Sequence, residues 1–146
     1  WIWKKILRQT IQAERLERSL EMSQIIELSA LAHTWFLDLD GTILKHNGYK
    51  IDSRDTLLDG ALDFMAQIPD KDLIVFVTSR EEMYREQTVS FLEENGIRYD
   101  VIIFGAPPGE RIVVNDEKPG GLKTAVAFNV VRDIGLLVKV KENHNI

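Results

Sequence analysis

The first fifth of the chain carries a helical pattern of apolar residues. Residues 1–31 contain no proline or glycine. Apolar residues recur there near helical spacing among charged ones: Ile2, Ile6, Ile11, Leu16, Leu20, Ile25 and Leu28. We therefore predict one long helix or two shorter ones, and assign residues 1–32 to an N-terminal helical extension and residues 33–146 to a folded domain. Oligomerisation through the extension and packing of the extension on the domain both stay open.

Beyond residue 33, short apolar runs alternate with helical patterns. Strands are predicted at 34–37, 73–77, 101–104, 112–114 and 125–130. Helices are predicted from about 56 to 68 and from about 81 to 94, where Pro69 and Asn95-Gly96 favour termination. Asn47-Gly48 is typical of a two-residue hairpin turn and predicts a small flap. The alternation indicates an α/β fold with a mainly parallel sheet.

Polar residues follow three of the predicted strands. Ligands of such sheets bind outside the carboxyl ends of the strands. The sequence therefore predicts a site built from side chains of these strand ends: Asp38 and Asp40, Thr78 and Ser79, Asn115 and Asp116.

Asp38 and Asp40 are the residues that suggest chemistry. Two carboxylates close together repel each other unless a cation or a shared proton relieves the repulsion, and hard oxygen ligands suit Mg²⁺. One carboxylate could then attack a phosphorus atom while the other, if protonated, delivers a proton to the leaving alcohol. The alternative is structural, because Asp40-Gly41 is also a common turn-forming pair.

The run Phe-Leu-Asp-Leu-Asp-Gly-Thr-Ile at 36–43, together with the later strand ends, resembles the haloacid dehalogenase-like superfamily of phosphatases. The resemblance implies a Rossmann-like, three-layer fold. It also implies an aspartyl-phosphate formed on Asp38, with Asp40 as general acid/base. By the same resemblance Gly41, Thr78 and Ser79 hold the phosphate, and Mg²⁺ is bound by Asp38, Asp40 and Asp116.

The sequence departs from that family in one respect, since no lysine lies between Arg80 and Asp116. Lys118 is the best substitute for the lysine that neutralises the phosphate, and Lys123 is next. If neither reaches the pocket, Arg111 becomes the candidate. Arg80 itself is expected either to touch substrate or to be an ordinary exposed arginine.

No cap domain fits between the signatures, which implies an open site that accepts large substrates or borrows a lid from a neighbouring subunit. The 45–48 and 118–123 segments also resemble small phosphatase-like proteins of bacterial surface-polysaccharide clusters, which implies a sugar phosphate as substrate. Two other interpretations stay open. One is a phosphatase-like binding or assembly module without turnover, and the other is a nucleic-acid end phosphatase.

The composition of the chain argues against two classes of partner, nucleic acid and membrane. The formal charge of −5, from 18 basic and 23 acidic residues, argues against nucleic acid. No apolar run reaches the roughly 18 residues of a membrane span, so no membrane partner is predicted. Cysteine is absent, which suits a reducing compartment. We expect a soluble, cytoplasmic protein that acts on a small-molecule phosphate ester.

Overall fold

The structure is a computed structural model and describes residues 1–21 and 24–146, with side chains described for 1–17 and 24–146. The elements follow in chain order: α1 (Ile2–Glu21), β1 (Ile25–Leu28), β2 (Thr34–Leu37), α2 (Gly48–Ile51), α3 (Ala61–Ala66), β3 (Leu73–Val77), a 3₁₀ turn (Glu82–Tyr84), α4 (Arg85–Glu94), β4 (Val101–Ile103) and β5 (Lys139–Glu142).

The main sheet contains three parallel strands in the order β2-β3-β4. Phe36 pairs with Val75, which pairs on its other side with Val101. The predicted strands at 34–37 and 73–77 are confirmed, and the third is one residue shorter than the predicted 101–104. The α/β class with a mainly parallel sheet is thus confirmed.

One face of this sheet is covered by helices. Phe64 of α3 and Leu92 of α4 are buried in a core with Ile74, Phe76 and Ile102 of the strands. Connections between neighbouring parallel strands are almost always right-handed, and both crossovers here step in the same direction across the sheet. Both helices therefore pack on the same face.

The opposite face is largely exposed among the described residues, although Val75 in its central strand is buried. Phe36 of β2 is 58% exposed, and Leu73, Val101 and Ile103 on the same face are also exposed. The structure thus shows two layers where the family resemblance implied three. The physical reason is that the strand order never reverses, so no described crossover returns a helix to this face.

The N-terminal prediction is right for α1 and wrong beyond it. Residues 25–28, expected to be helical, form β1, which pairs in parallel with β5 at the other end of the chain. Ile26 is buried in the core, and β-branched Ile25 and Ile26 favour the strand once a partner is present. Residues 22–23 and the side chain of Leu20 lie outside the described residues. No helix in the described ranges is long and apolar enough to cross a bilayer.

Three other local predictions are also corrected. Asn47 adopts a left-handed conformation (φ 54°) and begins the short helix α2, so Asn47-Gly48 is not a hairpin turn. The helix predicted at 56–68 is shorter, Ala61–Ala66. Segments 112–114 and 125–130 form no strand, and Val114 is 92% exposed. These apolar runs lie beside no other strand among the described residues. They therefore lack the backbone hydrogen bonds between strands that form a sheet.

Candidate active site

The loop after β2 is held by a compact set of backbone hydrogen bonds. The amides of Thr42, Ile43 and Leu44 all donate to the carbonyl of Leu39 at 2.9–3.2 Å. Gly41 has φ 88°, and a Cβ there would lie 2.9 Å from the side chain of Arg132. Only glycine therefore fits this turn without strain. The predicted role of Gly41 as the turning point is consistent with this geometry.

Asp38 is exposed at the carboxyl end of β2. The hydroxyl of Thr42 donates to its Oδ2 at 3.1 Å. Partial burial of the carboxyl group, together with the charge of Asp40, raises the pKa of Asp38, while the hydrogen bond from Thr42 and the charge of Arg111 oppose the rise. Thr42 is the one side chain among the described residues that hydrogen-bonds to this carboxylate, and the backbone of Leu39 also acts on it, so the exposed carboxylate keeps acceptor capacity for a ligand.

The side chain of Arg80 binds the carboxylate of Asp40. The Nε and Nη2 groups of Arg80 donate to the two carboxylate oxygens of Asp40 at 3.0 and 2.9 Å. The same guanidinium donates twice to buried Asp55 and once to Thr88. Its Cζ atom lies 4.0 Å from the ring centroid of Tyr49. Asp40 is therefore fixed by a bidentate pair, the geometry that best orients a carboxylate.

Every donor of the Arg80 guanidinium is used. An arginine side chain has five N–H groups, and the five hydrogen bonds to Asp40, Asp55 and Thr88 account for all of them. Arg80 is also only 2% exposed. The expectation of an exposed arginine is wrong, and contact with substrate would require one of these bonds to break. Sequence reasoning missed Asp55, Thr88 and Tyr49, whose spacing from Arg80 gives no signal of contact.

The end of β3 presents Ser79 rather than Thr78. Thr78 is buried, and its hydroxyl accepts the backbone N–H of Arg80 at 3.1 Å. Ser79 is exposed, and its Oγ accepts a hydrogen bond from Nη2 of Arg111 at 3.4 Å. The phosphate-binding roles predicted for Thr78 and Ser79 are untested. Of the two hydroxyls, that of Ser79 is the accessible one.

Arg111 is the basic residue whose contacts link it to the end of β3. Its Nη1 donates to the carbonyls of Pro107 and Gly109 at 2.7 and 2.8 Å, which orients the guanidinium. Its positive charge acts on Asp38 and opposes the rise in pKa of that carboxyl. The role of Arg111 as the phosphate-neutralising group stays a prediction.

The segment that carries Asp116 and Lys118 is an exposed turn. Glu117 pairs with Lys123, and the amide of Lys118 donates to the carbonyl of Leu122 at 2.9 Å. Within the described residues no three histidine, aspartate or glutamate side chains form a metal-binding cluster. Residues 112–114, which were expected to carry Asp116 to the sheet edge, do not form a strand. The role of Asp116 as a metal ligand beside Asp38 and Asp40 stays a prediction. Neither Lys118 nor Lys123 is among the charges that act on Asp38.

Comparison of the chain with protein-family models, with curated proteins and with solved structures gave no match. The resemblance to haloacid dehalogenase-like phosphatases therefore rests on the sequence signatures alone.

Asp38 and Asp40 can hold a magnesium ion without Asp116. Mg²⁺ in phosphoryl-transfer sites keeps several waters and is bound through one or two carboxylates plus the substrate phosphate. Asp38 has free carboxylate oxygens, and each oxygen of Asp40 can accept a second interaction besides that with Arg80. The two residues fit this mode of binding.

Proposed function

We propose that the chain is a magnesium-dependent phosphomonoester hydrolase of the haloacid dehalogenase-like type. The observation that carries the proposal is the contrast between the two carboxylates. Asp38 is exposed with open oxygens, while Asp40, two residues on, is locked by Arg80. A free nucleophile beside a fixed second carboxylate is the arrangement that phosphoryl transfer through an aspartyl-phosphate requires.

In the first step, Oδ of Asp38 attacks the phosphorus atom and the bond from phosphorus to the ester oxygen breaks. The leaving oxygen takes a proton from Asp40, which acts as general acid. In the second step Asp40 takes a proton from water, the water oxygen attacks phosphorus, and the Asp38–phosphorus bond breaks. The products are an alcohol and inorganic phosphate, and Asp38 is regenerated.

The charge balance explains why a metal is part of the proposal. When Asp40 is ionised, before it takes up the proton that it gives to the leaving oxygen, Asp38, Asp40 and Asp55 contribute three negative charges near the site, whereas Arg80 and Arg111 contribute two positive ones. A phosphate dianion would be repelled by this net charge. Bound Mg²⁺ neutralises the phosphoryl oxygens and the carboxylates together.

The substrate proposed is a small phosphate ester such as a sugar phosphate. Among residues 34–103, only the short α2 segment and α3 separate the Asp38 loop from β3, so no cap domain is inserted there. The acidic composition argues against nucleic-acid ends. The absence of cysteine fits action in a reducing compartment such as the cytoplasm.

The test is hydrolysis of p-nitrophenyl phosphate and of a sugar-phosphate panel, each with Mg²⁺ and with EDTA. We expect turnover that requires the metal and that falls to background in Asp38→Asn with the fold intact by circular dichroism. Asp52→Asn is the matched control, because Asp52 is a partly exposed carboxylate paired with Lys45 on the surface. Equal activity of Asp38→Asn and the unchanged chain refutes the assignment.

A second candidate is a phosphate-binding module without turnover. It is favoured by the placement of Asp116 on an exposed turn and by the absence of a lysine near Asp38. Binding of the phosphate mimic tungstate by the unchanged chain, with no hydrolysis of any ester and no metal effect, would select this alternative. Arg111→Gln should then weaken binding of the mimic.

A further inference from the structure

The helix α1 carries a broad apolar face that touches nothing else in the described chain. All described side chains of residues 1–17 are exposed. Ile2 and Ile6, Trp3 and Leu7, and Leu7 and Ile11 are each four residues apart, so these five side chains lie on one side of the helix. Trp3 is 82% exposed. An apolar face of this size on a solvent-facing helix marks a binding surface.

The opposite side of the same turns is basic. Lys4, Lys5 and Arg8 are spaced by three and four residues, and no acidic residue occurs before Glu14. The chain as a whole is acidic, with a formal charge of −5. The positive charge of these turns is therefore a local feature that selects a negatively charged partner.

The apolar stripe is short and ends at two acidic residues. Glu14 follows Ile11 by three positions and Glu17 follows Ala13 by four, so both continue the line of apolar positions. The stripe from residue 2 to residue 13 spans about 18 Å at the helical rise. A coiled coil of the full helix would bury these glutamates in its seam, which disfavours self-association.

The one hydroxyl on this face is already satisfied. Thr10 Oγ1 donates to the carbonyl of Ile6 at 3.0 Å, so its proton needs no water. Two tryptophans, Trp1 and Trp3, lie within the first turn. Indole rings favour the boundary between water and lipid headgroups. The first turns thus combine an apolar face, interfacial aromatic rings and a basic flank.

We propose that residues 1–13 lie flat on an anionic lipid surface, with Ile2, Ile6 and Ile11 in the acyl boundary and Lys4, Lys5 and Arg8 against the headgroups. High amphipathicity, low net hydrophobicity, basic residues on the polar face and tryptophan on the other define such interfacial helices. The proposal is independent of the phosphatase proposal. It departs from the expectation of no membrane partner, which considered spanning segments alone.

The test is co-sedimentation of the full chain with vesicles of phosphatidylcholine alone and of phosphatidylcholine with phosphatidylglycerol in equal parts. We expect binding to the mixed vesicles only, weakened by salt. Lys4→Gln combined with Lys5→Gln should weaken binding about thirtyfold, because each basic residue near an anionic surface contributes about 1 kcal/mol. Lys139→Gln with Lys141→Gln is the control of equal charge change and should bind like the unchanged chain.

A second pair of variants tests the apolar face. Ile6→Glu should abolish vesicle binding, whereas Gln12→Glu, which adds the same charge on the polar side four residues after Arg8, should retain most of it. Circular dichroism in the absence of vesicles checks that both variants keep their helix. Equal binding of Ile6→Glu and Gln12→Glu overturns the proposal. So does a concentration-dependent dimer, seen by sedimentation velocity and lost in Ile6→Glu, in a chain that binds no vesicle.

Discussion

Arg80 takes its role from residues far away in sequence. Its partners Asp55 and Asp40 lie 25 and 40 positions before it. The signature at the end of β3 allowed Thr78 and Ser79 to be placed at the site, because a strand end has only one edge of the sheet to reach. The signature could not show that the side chain of Arg80 is buried, because this depends on the buried carboxylate of Asp55, which another loop contributes. Buried charges persist only when they are paired in this way.

Asp72, at the start of β3, forms a second buried polar cluster that sequence reasoning did not single out. Its carboxylate accepts hydrogen bonds from the backbone and the ring of His33 and from the indole of Trp35, at 2.9–3.1 Å. Burial would raise the pKa of Asp72, but the hydrogen bonds from Trp35 and His33 outweigh it and the pKa is lowered. The ionised form therefore stabilises the fold.

We predict that Asp72→Asn lowers the free energy of unfolding at neutral pH by about 1–3 kcal/mol, because a buried acceptor is lost. A carboxyl with a lowered folded-state pKa stabilises above its unfolded pKa and loses that contribution as pH falls through the folded value. The difference between the variant and the unchanged chain should therefore shrink in acid. Urea unfolding across a pH series measures it, with exposed Asp70→Asn as control. A difference that widens in acid contradicts the account.

At the scale of elements, the periodicity of apolar residues predicted correctly those helices and strands whose signals lie within their own segment. The strands β2, β3 and β4 and the helix α4 were predicted because their apolar runs and terminators lie within the segment, as with Asn95-Gly96 after α4. The strand β1 was missed because its partner β5 lies more than 100 residues away. Ile25 and Leu28 also fit helical spacing, and only the pairing with the far end of the chain decides between helix and strand.

The C-terminal segment is anchored by a close backbone contact at the start of α3. Gly60 and Gly135 both have positive φ, and a Cβ on Gly135 would lie 2.3 Å from the carbonyl oxygen of Asp59. The amide of Leu136 donates to that same oxygen at 2.9 Å. This contact brings the chain into position for β5 and for the burial of Leu136.

Gly135→Ala should therefore lower the free energy of unfolding by at least about 2 kcal/mol, since it adds both left-handed strain and a clash with backbone. Gly109→Ala is the matched control, because Gly109 has no neighbour in the way and no positive φ. It should change stability by less than about 0.5 kcal/mol. Denaturant unfolding compares the two, and equal midpoints would refute the contact.

At the scale of the whole molecule, the order of the strands decides which surface is left open. The strands β2, β3 and β4 are neighbours in the same order in the sheet as in the chain. Right-handed crossovers between such strands all lie on one side of the sheet. Its strands are nevertheless apolar on both sides, which is typical of sheets covered twice. Segment 106–129 contains further exposed apolar residues and no regular element: Ile112, Val113, Val114, Val126 and Phe128. The three-layer expectation is not confirmed here, because the runs at 112–114 and 125–130 have strand-like sequences but no strand partner among the described residues.

Phe36 and Phe76 give a matched test of this asymmetry. They lie on adjacent strands and point to opposite faces, since Phe76 pairs with Leu37 rather than with Phe36. Phe76 is 0% exposed and Phe36 is 58% exposed. We expect Phe76→Ala to cost about 3–5 kcal/mol of unfolding free energy, as for a buried phenylalanine. Phe36→Ala should cost less than about 1 kcal/mol, because most of its ring is already in water.

The measurement is urea unfolding of both variants over a range of protein concentrations. If Phe36→Ala costs as much as Phe76→Ala at every concentration, another part of the same chain covers the face and the two-layer description is wrong. If the cost of Phe36→Ala grows with concentration, a second copy covers the face, since a partner stabilises the folded chain by mass action. A small cost that does not depend on concentration is the result expected for a sheet face that stays in water.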